Sequence, residues 1–191
     1  MKIKKLMLVS VLVFLGSTVF SQTDERGPWY IDIGIGLGGI VNNNLFKGIN
    51  PAASLDASIG VPGLVKSLPD LYFVGSFTLL QDFVPADFGN VKAKNTSTSF
   101  MIAPGIRYYP LPSMKYLQLG ADVGYSMMWL RTITSAVVKS DPGLGLKASA
   151  AFDFNSTLTG WSLMVGTEVM TFFIPSNTII GLTCFARAVF K

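Results

Sequence analysis

The sequence predicts an all-β fold, an eight-stranded antiparallel up-and-down transmembrane β-barrel, and three observations carry that expectation. Half of the 191 residues are hydrophobic and 14% are charged, whereas a soluble domain carries about 25–35% Lys, Arg, Glu and Asp on its surface. After the N-terminal segment there is no apolar run of about 18 residues, the length a spanning helix needs. Instead, apolar and small or polar residues alternate in segment after segment, as in strands whose two faces meet different surroundings. Lipid cannot satisfy free backbone groups, so such a sheet in a bilayer has to close on itself.

Residues 1–21 read as a secretory signal peptide. Lys2, Lys4 and Lys5 precede an apolar run to about Phe20, and Val19 and Ser21 occupy the third and first positions before a cut at Gln22. Cleavage lowers the basic count from 15 to 12 against 11 acids, leaving residues 22–191 as a nearly neutral barrel domain. Lys and Arg are then scattered singly, and nucleic acid is not an expected partner.

Residues 29–39 form the first expected strand, with Ile31, Ile33, Ile35 and Leu37 on one face and Tyr30, Asp32, Gly34 and Gly36 on the other. Residues 52–61 oppose Leu55, Ala57 and Ile59 to Ser54, Asp56 and Ser58, and residues 71–80 repeat the split more loosely. Residues 98–109 set Ile102, Ile106 and Tyr108 against Met101, Arg107 and Tyr109, while 115–130 set Leu119, Val123 and Tyr125 against Gln118, Asp122 and Ser126. Residues 143–154 place Leu146, Phe152 and Phe154 opposite Lys147 and Asp153. Residues 161–171 place Trp161, Leu163 and Val165 opposite Met164, Glu168 and Met170, and residues 177–190 close the series with Leu182, Ala186 and Phe190 opposite Thr183, Phe185 and Arg187. With a periplasmic N-terminus, 62–70, 110–114 and 155–160 become periplasmic turns, and 40–51, 81–97, 131–142 and the short 174–177 become outer loops.

The composition of the second face decides which side meets lipid. Gly, Ser and isolated charges suit a narrow lumen, and the broad aliphatic and aromatic face then turns outward. On that face Trp29, Phe73, Tyr108, Phe154, Trp161 and Phe190 fall at the periplasmic boundary as an aromatic girdle. The expected lumen charges are Asp32, Asp56, Arg107, Asp122, Lys147, Asp153, Glu168 and Arg187. A desolvated charge needs a partner. Symmetric pairing about the 155–160 turn puts Lys147 opposite Glu168, and closure puts Asp32 near Arg187. A lumen glycine such as Gly34 is expected to accept serine, whereas arginine at lipid-facing Ile33 is not tolerated.

Several chemistries are excluded or weakened. With no histidine in the chain, Ser-His-Asp and Cys-His catalysis and His-based zinc sites are absent. No metal or other cofactor is expected. Cys184 is the only cysteine, so no intramolecular disulfide forms, and it reads as a small wall residue. Gly34-x-Gly36-x-x-Gly39 has the spacing of a dinucleotide fingerprint, but no helix follows it to receive a phosphate. The lumen acids could also act as a hydrolytic carboxylate pair, a reading that lacks a cleft.

The alternation, the first strand Trp29-Tyr30-Ile31-Asp32-Ile33-Gly34-Ile35-Gly36, the strand end Pro104-Gly105-Ile106-Arg107-Tyr108-Tyr109 and the aromatic close at Phe190 resemble the small outer-membrane β-barrel superfamily of diderm bacteria, the OmpA-, OmpX- and OmpW-like barrels. The resemblance covers the whole of residues 22–191. It implies outer-membrane lipid as surroundings and recognition by the barrel-assembly machinery through the C-terminal strand, where Lys191 follows Phe190. It also implies a non-enzymatic role in envelope structure or surface interactions through the outer loops, with an unidentified surface ligand. The alternatives it leaves are a narrow OmpW-like channel gated by separation of Lys147 from Glu168 and, less in keeping with the missing histidine, a lipid-modifying barrel enzyme.

Overall fold

The computed structural model describes residues 29–42, 46–62, 68, 70–88, 91–110, 116–131, 137–155, 160–175 and 177–191. The expected signal peptide lies outside them. The strands are β1 (Tyr30–Asn42), β2 (Phe46–Pro62), β3 (Leu71–Phe88), β4 (Val91–Tyr108), β5 (Leu117–Arg131), β6 (Val137–Lys139), β7 (Gly143–Asp153), β8 (Trp161–Ile174) and β9 (Asn177–Phe190). Eight long strands close an antiparallel barrel, with β1 paired to β9 from Ile31↔Phe190 to Asn42↔Ile179. The three-residue β6 adds to the edge of β5 at Trp129↔Lys139. Among the described residues there is no helix.

The alternation sets the two faces. Along β1 the outward residues Ile31, Ile33, Ile35 and Leu37 are 42%, 57%, 67% and 73% exposed, while Tyr30 and Asp32 between them are buried. Such a belt of bare aliphatic side chains suits hydrocarbon as its solvent, and barrel closure removes the sheet edges that hydrocarbon could not satisfy. Two residue pairs are missing from one seam: β4 and β5 pair at Ile102↔Tyr125 and again at Gly105↔Asp122, with no pairs between. Pro104, which has no N–H to give, occupies that gap.

The expected loop at 81–97 is instead mostly strand. β3 and β4 continue to pair from Phe83↔Thr96 to Phe88↔Val91, whereas β2 stops pairing with β3 at Ala52↔Asp82 and β5 meets β4 only from Thr96 onward. The two strands thus leave the barrel as a two-stranded ribbon. Asp82, Pro85 and Asp87 mask it in the sequence because they disfavour strands, yet a ribbon with open edges accommodates them. β2 likewise begins at Phe46, inside the expected 40–51 loop. We refer below to the ribbon end of the barrel and to the opposite, turn end.

Candidate functional site in the barrel interior

The interior is layered. Near the ribbon end Ile40, Ala52, Leu80, Met101, Met128, Met170, Phe172 and Ile179 form one apolar cluster. Near the turn end Tyr30, Tyr72, Val74, Tyr109, Met164, Phe185 and Val189 form a second. The expected narrow polar lumen is therefore filled at both ends by large side chains. These occupy the inward positions of the alternation, where Met and aromatic residues supply the volume that Gly and Ser leave open.

Seven of the eight expected lumen charges join into one chain in which acids and bases alternate. Asp32 meets Arg107 Nε at 3.9 Å, and Arg107 grips Asp122 with Nη1 at 2.7 Å and Nη2 at 3.2 Å. Lys147 Nζ then bridges Asp122 at 3.1 Å and Asp56 at 2.7 Å. Arg187 Nη2 lies 3.7 Å from Asp56 and bonds Glu168 Oε2. Hydroxyls complete the shells: Ser58 donates to Asp32, Thr78 to Asp56, and Ser54 and Thr183 to Glu168. No charged residue of this ion network is more than 4% exposed, so among the described residues these charges are closed off from water.

Two expected pairs are corrected. Lys147 stands opposite Met170, and Glu168 opposite Ser149, because the β7–β8 pairing is displaced by two residues from symmetry about 155–160. Lys147 accordingly reaches Asp122 and Asp56, and Glu168 turns to Arg187. Asp32 is opposite Val189 across the seam, while Arg187 is opposite Gly34, and Asp32 takes Arg107 from the far wall. The tolerance expected of Gly34 is corrected too: a Cβ there would run into Cγ of Arg187 and the carbonyl oxygen of Ala186. Gly105 does the same service for Asp122, whose carboxylate fills the place of its missing Cβ. Glycine on this face makes room for the ion chain.

Asp153 stands apart from the other seven. It accepts from Tyr109 Oη at 3.0 Å and from Ser162 Oγ, and it pairs with Lys191 Nζ. Gln118 Nε2 donates to Tyr109 and Tyr30. Lys191, which the sequence reading did not count among the lumen charges, is 2% exposed, and its backbone exchanges two hydrogen bonds with Gly160. The signal for it was Asp153 at the turn-side end of its strand, an inward acid with no nearby base among the expected lumen residues.

The six girdle aromatics all lie toward the turn end. Trp29, Phe154 and Trp161 are exposed on the outer wall, Phe73, Tyr108 and Phe190 half-buried. Trp161 packs on Phe190 with ring centroids 5.3 Å apart, and Phe154 on Phe152 at 5.2 Å. A ring cluster nearer the ribbon end, absent from the expected girdle, joins Phe100 to Trp129 and Tyr125 at 4.9 Å and 6.3 Å. Cys184 faces outward. Among the described residues no group of His, Cys, Asp or Glu is arranged to hold a metal.

Neither a protein-family model nor a curated protein sequence matches the chain. Solved structures do. Neisserial surface protein A is similar at a TM-score of 0.60 and 13% identity, over 84% of this chain and 96% of that one. Ail, the attachment invasion locus protein of Yersinia pestis, is similar at a TM-score of 0.56 and 12% identity, over 86% of this chain and 99% of that one. Together with the closed eight-stranded barrel, these likenesses show the fold, that of a small antiparallel eight-stranded β-barrel.

Proposed function

We propose that this protein is a non-enzymatic barrel of a diderm outer membrane that acts at the cell surface through the ribbon of β3 and β4 and the neighbouring outer turns. The observation that carries the reading is the filled interior. Apolar clusters at both ends enclose a fully buried ion chain, so the described part of the barrel body offers no solute path. What remains available to other molecules is the part outside the barrel, and the ribbon from Phe83↔Thr96 to Phe88↔Val91 projects there with backbone groups paired only within itself. Open edges of this kind are suited to surface contacts. The outward aliphatic belt then faces outer-membrane lipid, and the turn-end aromatics, Trp29 and Trp161 among them, sit at its boundary with water. Insertion by the barrel-assembly machinery through the last strand and prior removal of residues 1–21 belong to the same reading.

Single-channel recording in planar bilayers tests it, with protein shown to be folded by heat-modifiable gel mobility. Silent insertion of the wild type and of Lys147→Met is the expected result. Discrete conductance steps that respond to Lys147→Met would replace this reading with a gated pore.

A further inference from the structure

The ion chain does not balance. It contains four carboxylates (Asp32, Asp56, Asp122 and Glu168) and three cations (Arg107, Lys147 and Arg187). The apolar clusters above and below it exclude a counterion from bulk water, and an uncompensated charge in such surroundings is strongly disfavoured. The excess has a location. Asp56 and Glu168 converge on one nitrogen, Nη2 of Arg187, which lies 3.7 Å from Asp56 Oδ2 and 2.5 Å from Glu168 Oε2. Asp56 is 2% exposed, and its Oδ2 is a buried oxygen with no hydrogen-bond partner. Its other oxygen already accepts from Lys147 Nζ at 2.7 Å and Thr78 Oγ1 at 2.6 Å.

We propose that the barrel interior is a binding site for one proton, shared between Glu168 and the unpartnered oxygen of Asp56. Residing on a Glu168 oxygen, the proton is donated to Asp56 Oδ2, which gives that oxygen its missing partner. The chain then has three negative and three positive charges. The groups that face the pair are Arg187 and Thr183 from β9, Lys147 from β7, Thr78 from β3 and Ser54 from β2. Asp122 of β5 stands behind Lys147, and Asp32 of β1 is held by Arg107 of β4 and Ser58. Each of the three cations is shared by two carboxylates, so the fourth carboxylate has no cation of its own. The proton comes from solvent as the chain folds, since the same carboxyl is ionised in the unfolded chain at neutral pH.

Infrared spectroscopy of the full-length folded barrel in phospholipid vesicles tests the site. The expected spectrum at neutral pH contains the C=O stretch of one protonated carboxyl, which is lost in Glu168→Gln and in Asp56→Asn. In Glu168→Gln the amide replaces the bound proton as donor to Asp56. A second readout is the folding equilibrium. The folded state holds one more proton than the unfolded chain, so the wild-type folding constant is greatest at the acid side of the window and falls as pH rises. Relative to Glu168→Gln it falls about tenfold per pH unit until the folded barrel releases the proton. Absence of the band in the wild type, its survival in both variants, or equal pH slopes for wild type and Glu168→Gln would each overturn the proposal. So would a wild-type stability that follows sodium concentration rather than pH, which would make the bound ion a metal cation. The wild-type spectrum remains decisive on the presence of the proton even where a variant does not fold.

Discussion

Replacing Arg107 by Met is the sharpest probe of the ion chain. The guanidinium is 1% exposed, holds both oxygens of Asp122 at 2.7 Å and 3.2 Å, and approaches Asp32 at 3.9 Å. Methionine fills a similar volume but removes one of the three cations that the ionised carboxylates share. Stranding a buried charge costs about 3–5 kcal/mol. Asp122 keeps Lys147 at 3.1 Å, which places Arg107→Met near the lower end, at about 3 kcal/mol. Asp122→Asn leaves Arg107 beside Asp32 and Lys147 on Asp56, so it costs only about 1–2 kcal/mol. In the double variant the stranded carboxylate is gone, and its cost should fall short of the sum of the singles by at least about 1 kcal/mol. Urea unfolding in phospholipid vesicles measures all three. Trp29, Trp129 and Trp161 lie on the outer wall, so their emission reports transfer out of lipid. A loss under about 1 kcal/mol for Arg107→Met, or simple additivity in the double variant, would refute the argument that this contact neutralises Asp122.

Three other outcomes follow from the two faces of the wall. Ile33→Arg places a charge on a side chain that is 57% exposed in the outward belt, and the same titration should show a loss of about 2–4 kcal/mol; a harmless substitution would mean that the faces are inverted. Gly34→Ser should destabilise by about 1–3 kcal/mol, as overpacking does, because its Cβ meets Arg187 and the backbone of Ala186. Thermal shifts in heat-modifiability gels detect that loss. Lys191→Met should cost about 2 kcal/mol by leaving Asp153 without its cation, and the loss should shrink in a background that already carries Asp153→Asn.

The barrel was legible from the sequence because the alternation is a direct imprint of its two solvents. Ile31 to Leu37 and Asp32 to Gly36 sort into opposite faces by position alone. The lumen charges were legible for the same reason, since a lone Asp or Arg among outward aliphatics has only one side to occupy. The filling of the interior was visible but undervalued: Tyr30, Met101, Met164, Met170 and Phe185 share the inward face with Gly and Ser, and their volume closes the barrel. The ribbon was hidden by Pro85 and Asp87. Gly89-Asn90, a two-residue hairpin signal between Phe88 and Val91, was the clue to it. Partner identities were not legible, because a long side chain such as that of Lys147 crosses the interior to β2, and the choice depends on a register that local pattern does not determine.

That indeterminacy suggests why a filled barrel keeps charges at all. A slip by one residue turns an entire strand inside out and is forbidden by the alternation. A slip by two residues preserves both faces, and the alternation is blind to it. The displacement between the expected Lys147–Glu168 pairing and the observed Lys147↔Met170 and Glu168↔Ser149 is a slip of this kind. Apolar packing would penalise it weakly, since Leu, Ile and Val along the outer wall are nearly interchangeable against lipid. The ion chain penalises it heavily. Moving β8 by two residues to bring Glu168 to Lys147 would draw it away from Arg187, Thr183 and Ser54, leaving a buried guanidinium and two hydroxyls to find new partners. The chain anchors β1, β2, β4, β5, β7, β8 and β9 through its charged groups and β3 through Thr78. Every strand of the barrel body is therefore held to one register by contacts that a hydrophobic interior of equal volume would not provide.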